Sequence, residues 1–165
     1  MPSEIVMKCS AALKRKKWNV SFAESVTAGR LASEFSMTKN SGAILRGGIV
    51  CYEAFVKEQL LHVPHEMIQK HSAESAEVTK LLAQQTAKLF NAKVTAAITG
   101  LSSPGGSETR QKPVGTIFFY IITPTEQIRH RELFHGTPEQ IVMQAVDKTA
   151  QLINDAIERL QVVNI

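Results

Sequence analysis

The sequence predicts an α/β fold, a three-layer α/β/α sandwich built on a mixed β-sheet. Three observations carry this. Strand-type and helix-type segments alternate through the first hundred residues, which argues for a layered α/β fold. A β-branched and aromatic run from Val114 to Thr123 turns at Pro124-Thr125-Glu126, and Ile128 to Phe134 returns with polar and apolar residues alternating, as in an antiparallel hairpin. The chain has 165 residues, 44% hydrophobic and 21% charged, which suits a single domain over residues 1–165 with one buried core and excludes wholesale disorder.

The elements follow in order. Ser3 is placed to cap a first helix, in which Ile5, Cys9, Ala12 and Leu13 recur on one face, and Lys14-Arg15-Lys16-Lys17 complements the dipole at its end. Val20 and Phe22 alternate with Ser21 and Ala23 in a short strand. Glu24 to Gly29 opens a second helix carrying Leu31, Ala32 and Phe35. Gly47 to Tyr52 is an apolar strand, followed by a helical stretch through Lys57 and Leu61 and a short helix from Pro64 to His71. Glu74 to Phe90 is amphipathic, with Val78, Leu81, Leu82 and Leu89 on one side. Val94 to Thr99 reads as a buried strand. The stretch from Gly100 to Gly115 holds five Gly and Pro residues before Val114, and a loop this long inside a domain argues for binding. After the hairpin, Thr137 caps a last helix with Pro138 at its first position, and Ile141, Val146, Ile153 and Ile157 mark its wide apolar face.

Composition narrows the function. Lys and Arg number 19 and Asp and Glu 15, so the formal charge is +4. That mild excess accommodates an anionic ligand without implying nucleic acid. The basic run at Lys14–Lys17 adjoins only Trp18, and no aromatic interleaving supports base stacking. No apolar run reaches the roughly 18 residues of a membrane span, and Met1-Pro2-Ser3-Glu4 has no signal-peptide architecture. Cys9 and Cys51 are too few for a disulfide framework, so a reducing cytoplasm is expected. His62, His65 and His71 are unevenly spaced, and no metal is expected. Asn164-Ile165 carries no recognisable address.

Three segments fall at strand carboxyl ends, where α/β sheets bind ligands. Ser25 stands where a strand turns into a helix, beside backbone N–H groups that favour an anion or a developing oxyanion; on geometry alone the plain N-cap is the favoured reading. Tyr52 and Lys57 cross a strand end and the first turn of a helix and could face one cleft. A lysine of lowered pKa is a general base for a hydroxyl, and the tyrosine could relay the proton or orient the amine. The bland alternative is a surface lysine and a half-buried aromatic. The loop from Thr99 to Gly106 can form an anion-binding nest or be a mobile connector. It lacks the Gly-Lys-Ser/Thr of a Walker loop.

Together these segments resemble the C-terminal domain of the CinA (competence/damage-inducible protein A) family. Ala23-Glu24-Ser25-Val26-Thr27-Ala28-Gly29 is similar to its A-E-S-C-T-G-G. Gly47-Gly48-Ile49-Val50-Cys51-Tyr52 with Lys57 is similar to G-G-x-V-x-Y-S-N-x-x-K. Ile98-Thr99-Gly100 with Pro104-Gly105-Gly106 is similar to [ST]-G-x-A-G-P-x-G-G, and Lys112-Pro113-Val114-Gly115-Thr116 to K-P-V-G-T. The chain departs at Val26 (for Cys), Ala28 (for Gly), Glu53-Ala54 (for Ser-Asn) and Ser102-Ser103 (for Ala-Gly). Ser72-Ala73-Glu74-Ser75 stands for G-A-V-S, and Thr137-Pro138 for Asp-Arg.

The resemblance implies an amidohydrolase that converts nicotinamide mononucleotide to nicotinate mononucleotide and ammonia. It makes Ser25 the nucleophile, Lys57 the base and Tyr52 an assistant. Substrate contacts are implied at Glu24, Thr27, Ala28, Gly29, Gly48, Thr99, Gly100, Ser103, Gly105 and Gly106, with backbone amides of the Thr27–Gly29 and Thr99–Gly106 segments holding phosphate and oxyanion. It implies no cofactor and no metal, a small-molecule nucleotide as partner rather than nucleic acid or membrane, and a homodimer. A non-catalytic relative that binds a nucleotide or a protein through the same cleft is the alternative.

Overall fold

The computed structural model describes residues 1–162, so Asn164-Ile165 lies outside the described residues. In chain order the elements are α1 (Glu4–Lys16), β1 (Val20–Glu24), α2 (Arg30–Ser36), α3 (Ser41–Ile44), β2 (Leu45–Val50) and α4 (Ala54–Leu61). They continue with α5 (His65–His71), α6 (Ala76–Phe90), β3 (Val94–Gly100), β4 (Thr116–Ile122), β5 (Gln127–Leu133) and α7 (Pro138–Val162).

The five strands form one mixed sheet in the order β2-β1-β3-β4-β5. β1 pairs in parallel with both β2 and β3, and β3-β4-β5 is antiparallel. The interior strands β1, β3 and β4 are buried along their length, whereas the edge strands β2 and β5 alternate in exposure. That is why the first group reads as continuous apolar runs and β5 as an alternating one. On one face, Phe22, Ile98 and Phe119 of the sheet pack with Leu13 of α1, Phe35 of α2 and Ile153 of α7. On the other, Ala23, Ala97 and Tyr120 pack with Leu61 of α4 and Val78 and Leu82 of α6. The α/β/α layering and the mixed sheet are those the sequence predicts.

Local chemistry fixes most boundaries. The Ser3 hydroxyl accepts from Val6 N–H at 3.4 Å, and Lys17 closes α1 in the left-handed conformation (φ 56°). Ser75 caps α6 through Val78 N–H at 3.2 Å, and Thr137 accepts from Gln140 N–H at 3.3 Å at the start of α7.

Three readings are corrected. The second helix begins at Arg30, not at Glu24, because residues 25–29 form a turn ending in Gly29 at φ 94°. A four-residue helix, α3, precedes β2, which runs from Leu45 to Val50 rather than from Gly47 to Tyr52. Leu89 is 61% exposed at the end of α6, beyond the apolar face that Val78 and Leu82 bury.

The parallel pairing decides where a ligand goes. Glu24, the last residue of β1, lies opposite Val50 of β2 and Ile98 of β3. Three carboxyl ends therefore meet at one rim of the sheet, and the segments 25–29, 51–57 and 100–106 all leave from it.

Candidate active site

Ser25 follows β1 directly, and its N–H donates to Ile98 O of β3 at 3.0 Å, so the nucleophile candidate is fixed to the central sheet. Its side chain is 4% exposed. Lys57, on the inner face of α4, is fully buried and meets it: Lys57 Nζ donates to Ser25 Oγ at 2.9 Å, to Cys51 O at 2.6 Å and to Tyr52 O at 3.0 Å. The two carbonyls are obligate acceptors. That threefold donation belongs to the ammonium; once neutral, the amine keeps two N–H bonds for the carbonyls, and its lone pair accepts from the Ser25 O–H instead. Burial holds the Lys57 pKa below the ordinary lysine value, while Cys51 and Glu74 act in the opposite sense. No carboxylate pairs with Lys57 within 4.0 Å among the described residues, which favours the neutral form that general-base catalysis needs.

Cys51 is the other nucleophile nearby. Burial pushes its thiol up to about 11, and Sγ donates to Glu24 O at 3.6 Å. It is therefore a protonated packing residue at neutral pH.

The turn after Ser25 is held from below by Glu24. This carboxylate is 1% exposed and accepts from Gly29 N–H at 3.0 Å, Leu31 N–H at 2.9 Å and Ala32 N–H at 2.8 Å. It closes the N-terminus of α2, whose own cap residue, Gly29, offers no side chain. Its oxygens are spent on the backbone rather than turned to the cavity. Glu24→Gln keeps one acceptor oxygen and adds two donors where only donors face it. We expect it to lower unfolding stability by roughly 3 kcal/mol, read from urea denaturation at an unchanged slope.

Ala28 lies in the same turn at φ 46°, a conformation that costs an L-residue about 1 kcal/mol. Ala28→Gly should relieve it, raising stability by about 0.5 kcal/mol in the same assay. Among the described residues, the backbone N–H groups of Val26 and Thr27 donate to no acceptor, and Thr27 Oγ1 is buried without a partner. Val26 lines the cavity beside Ser25, so its N–H is a candidate oxyanion donor.

That cavity measures about 240 Å³ and is lined by Ser25, Val26, Tyr52, Glu74 and the loop from Gly100 to Gly106. Gly100, Ser103, Gly105 and Gly106 thus line the cavity that holds Ser25. Gly100 also packs so closely on β4 that a Cβ would lie 2.5 Å from Thr116 O. Gly105 N–H is occupied, donating to the Glu108 carboxylate at 2.8 Å.

The side chains of other expected site residues are turned away from the Ser25–Lys57 pair or lie outside the cavity. The Tyr52 ring is 64% exposed at the cavity mouth, and its hydroxyl bonds to neither Ser25 nor Lys57; the carbonyl is the part that holds the amine. Thr99 is fully buried, and its hydroxyl bonds Thr79 Oγ1 at 2.9 Å, turned toward α6. Gly48 sits beneath α2, where a Cβ would lie 3.2 Å from Phe22 O and 3.6 Å from the Ala32 methyl, and it does not line the cavity.

Two residues escaped the sequence reading of the site. Glu74 lines the cavity and accepts from the Ser107 hydroxyl. Lys112 donates to Ser72 Oγ at 2.6 Å, Ser107 Oγ at 2.8 Å and Glu74 O at 3.1 Å, tying the long loop to the segment before α6. The signals were the Ser72–Ser75 departure and the Lys112-Pro113 motif; neither names a partner. No group of three or more His, Cys, Asp or Glu that could hold a metal occurs among the described residues, and none of their helices is long and apolar enough to cross a membrane.

Comparison with known proteins identifies the family. A CinA-like protein of Prochlorococcus marinus is 40% identical over 122 residues, 74% of this chain and 28% of that protein. A sequence of Desulforudis audaxviator, named as competence-damage inducible, is 31% identical over 147 residues, 89% of this chain and 35% of its own length. The chain thus spans about a third of the length of these curated relatives. A crystal structure of a competence-damaged protein (CinA) superfamily protein from Klebsiella pneumoniae superposes with a TM-score of 0.89 at 27% identity, covering 94% of this chain and 97% of the other. The Escherichia coli superfamily structure gives 0.84 at 26% identity, covering 91% and 87%. The family described as CinA C-terminal domain matches residues 3–157, nearly the whole sequence. The chain belongs to the CinA C-terminal domain family.

Proposed function

We propose that the protein is an amidohydrolase that removes the carboxamide nitrogen of nicotinamide mononucleotide, giving nicotinate mononucleotide and ammonia. The observation that carries this is the contact of 2.9 Å between the Lys57 amine and the Ser25 hydroxyl, with both carbonyl partners of the amine already in place. Family membership supports the choice of substrate.

The steps follow from that contact. Neutral Lys57 takes the Ser25 proton as Oγ attacks the amide carbon, and the carbonyl oxygen becomes an oxyanion facing the Val26 N–H. The oxyanion collapses, the C–N bond breaks, and the Lys57 proton goes to the leaving nitrogen, which departs as ammonia. An ester on Ser25 remains. Water attacks it with its proton passing to Lys57, the ester C–O bond breaks, and Ser25 recovers its proton. The amine thus acts in turn as base and acid. The Tyr52 carbonyl orients it, and the Tyr52 ring walls the cavity.

On this reading the enzyme works in the cytoplasm as a homodimer, with a small nucleotide and no cofactor. Ammonia release from nicotinamide mononucleotide, measured beside a calorimetric titration with the same compound, tests it. Turnover supports the hydrolase. Binding without turnover supports instead a non-catalytic nucleotide-binding relative, a reading favoured by Glu74 in the cavity wall and the strained Ala28 beside Ser25.

A further inference from the structure

A second and larger cavity, about 810 Å³, opens beside the first, and Glu74 stands in the wall of both. Phe118 of β4 contributes to its lining. Four cations line it as well: Lys70 of α5, Lys112 of the long loop, and Arg129 and Arg131 of β5. The two arginines are two residues apart on a strand and so project from one face, opposite Tyr120 and Phe118 in the register. Arg131 is held in place, with its guanidinium 5.7 Å from the Phe118 ring centre and an N–H donating to Gln111 O.

The lining also holds two carboxylates, Glu74 and Glu77, so the four cations leave an excess of positive charge. Arg129 has one carboxylate partner, Glu77, at 3.6 Å. Among the described residues no carboxylate lies within 4.0 Å of Lys70, Lys112 or Arg131. The glycine loop is the opposite case. Its Gly105 N–H already serves the Glu108 carboxylate, and the backbone amides around it hold the Glu108 pKa below the usual carboxylate range. An arriving phosphate would meet a like charge there, whereas in the larger cavity cations outnumber the carboxylates Glu74 and Glu77 and two of them are forked donors.

We infer that this basic cleft binds the phosphate monoester end of the substrate through Arg129 and Arg131, while the amide lies at Ser25. The inference rests on the amidohydrolase reading for the identity of the substrate, not for the existence of the cleft. It also gives Glu74 a use. The ring of nicotinamide mononucleotide is cationic, and a carboxylate in the wall shared by the two cavities lies on the path between the amide and phosphate ends. The family's corresponding motif has an apolar residue at that position, so this charge is a property of the present chain.

The test compares nicotinamide mononucleotide with nicotinamide riboside, the same compound without its phosphate, on the wild type and on the double variant Arg129→Ala, Arg131→Ala. Both side chains are exposed, so the variant keeps its fold, checked by an unchanged melting temperature. The ratio of kcat/KM for the mononucleotide over the riboside should fall at least tenfold, and the affinity for ribose 5-phosphate by calorimetry should fall as much. Arg129→Lys, Arg131→Lys should recover part of both. An unchanged ratio together with an unchanged ribose 5-phosphate affinity would overturn the cleft as the phosphate site. If the wild type releases no ammonia yet binds ribose 5-phosphate in a way the double variant loses, the cleft stands and the amidohydrolase reading falls. If ammonia is released and neither the ratio nor the ribose 5-phosphate affinity moves, the reverse holds.

Discussion

Ser25→Ala should abolish ammonia release from nicotinamide mononucleotide, by a factor of about a thousand or more, while the protein stays folded. Among the described residues the hydroxyl is the only nucleophile that Lys57 Nζ contacts; its other partners are the carbonyls of Cys51 and Tyr52. Removing the nucleophile from such a pair removes the covalent step and leaves only binding and oxyanion stabilisation, which give a small residual rate. The fold should survive because the backbone of residue 25 is fixed through its N–H to Ile98 O, a bond alanine keeps. The amine also keeps both carbonyls. Unchanged melting and lost turnover, measured together, check this; wild-type turnover in the variant would reject Ser25 as nucleophile.

Lys57→Met should be as damaging to turnover and worse for stability. Methionine fills much of the buried volume but leaves Cys51 O and Tyr52 O without their donor. Each unsatisfied buried acceptor costs about 1–3 kcal/mol. The pH dependence of this cost has a definite sign. Burial holds the Lys57 pKa in the folded protein below its value in the unfolded chain. Between those two values the unfolded chain binds more protons, so folding is favoured as pH rises through the window. The stability of the wild type relative to Lys57→Met should therefore grow as pH rises from the lowered folded-state value toward the ordinary lysine value of about 10.4, and level off above it. Urea denaturation of both proteins across that range measures it, and a difference that stays flat or shrinks would mean the amine is not desolvated as described.

Much of this was legible in the sequence, for reasons that differ from residue to residue. The layers and strand types follow from hydrophobic pattern, because β1, β3 and β4 are buried on both faces and β5 on one. Ser25 and Lys57 stood out because each follows a strand end, and parallel strands bring such ends to one rim. Side-chain direction was not legible. Glu24 sits beside the nucleophile in the chain, yet α2 starts at Arg30, and the amides left open there draw the carboxylate inward. Thr99 ends a strand at the rim but faces α6, since Thr79 offers it a hydroxyl. Glu74 and Lys112 were missed as site residues because their contacts join a segment before α6 to a loop more than thirty residues on. Periodicity carries no information about such pairs.

The pH dependence of ammonia release tests most directly whether a buried neutral lysine drives this serine. In the wild type, kcat/KM for nicotinamide mononucleotide should rise with pH through one ionisation placed below the ordinary lysine value, and that ionisation should vanish from the residual rate of Lys57→Met. The same profile in both proteins, or no ammonia from the wild type at any pH, would contradict it.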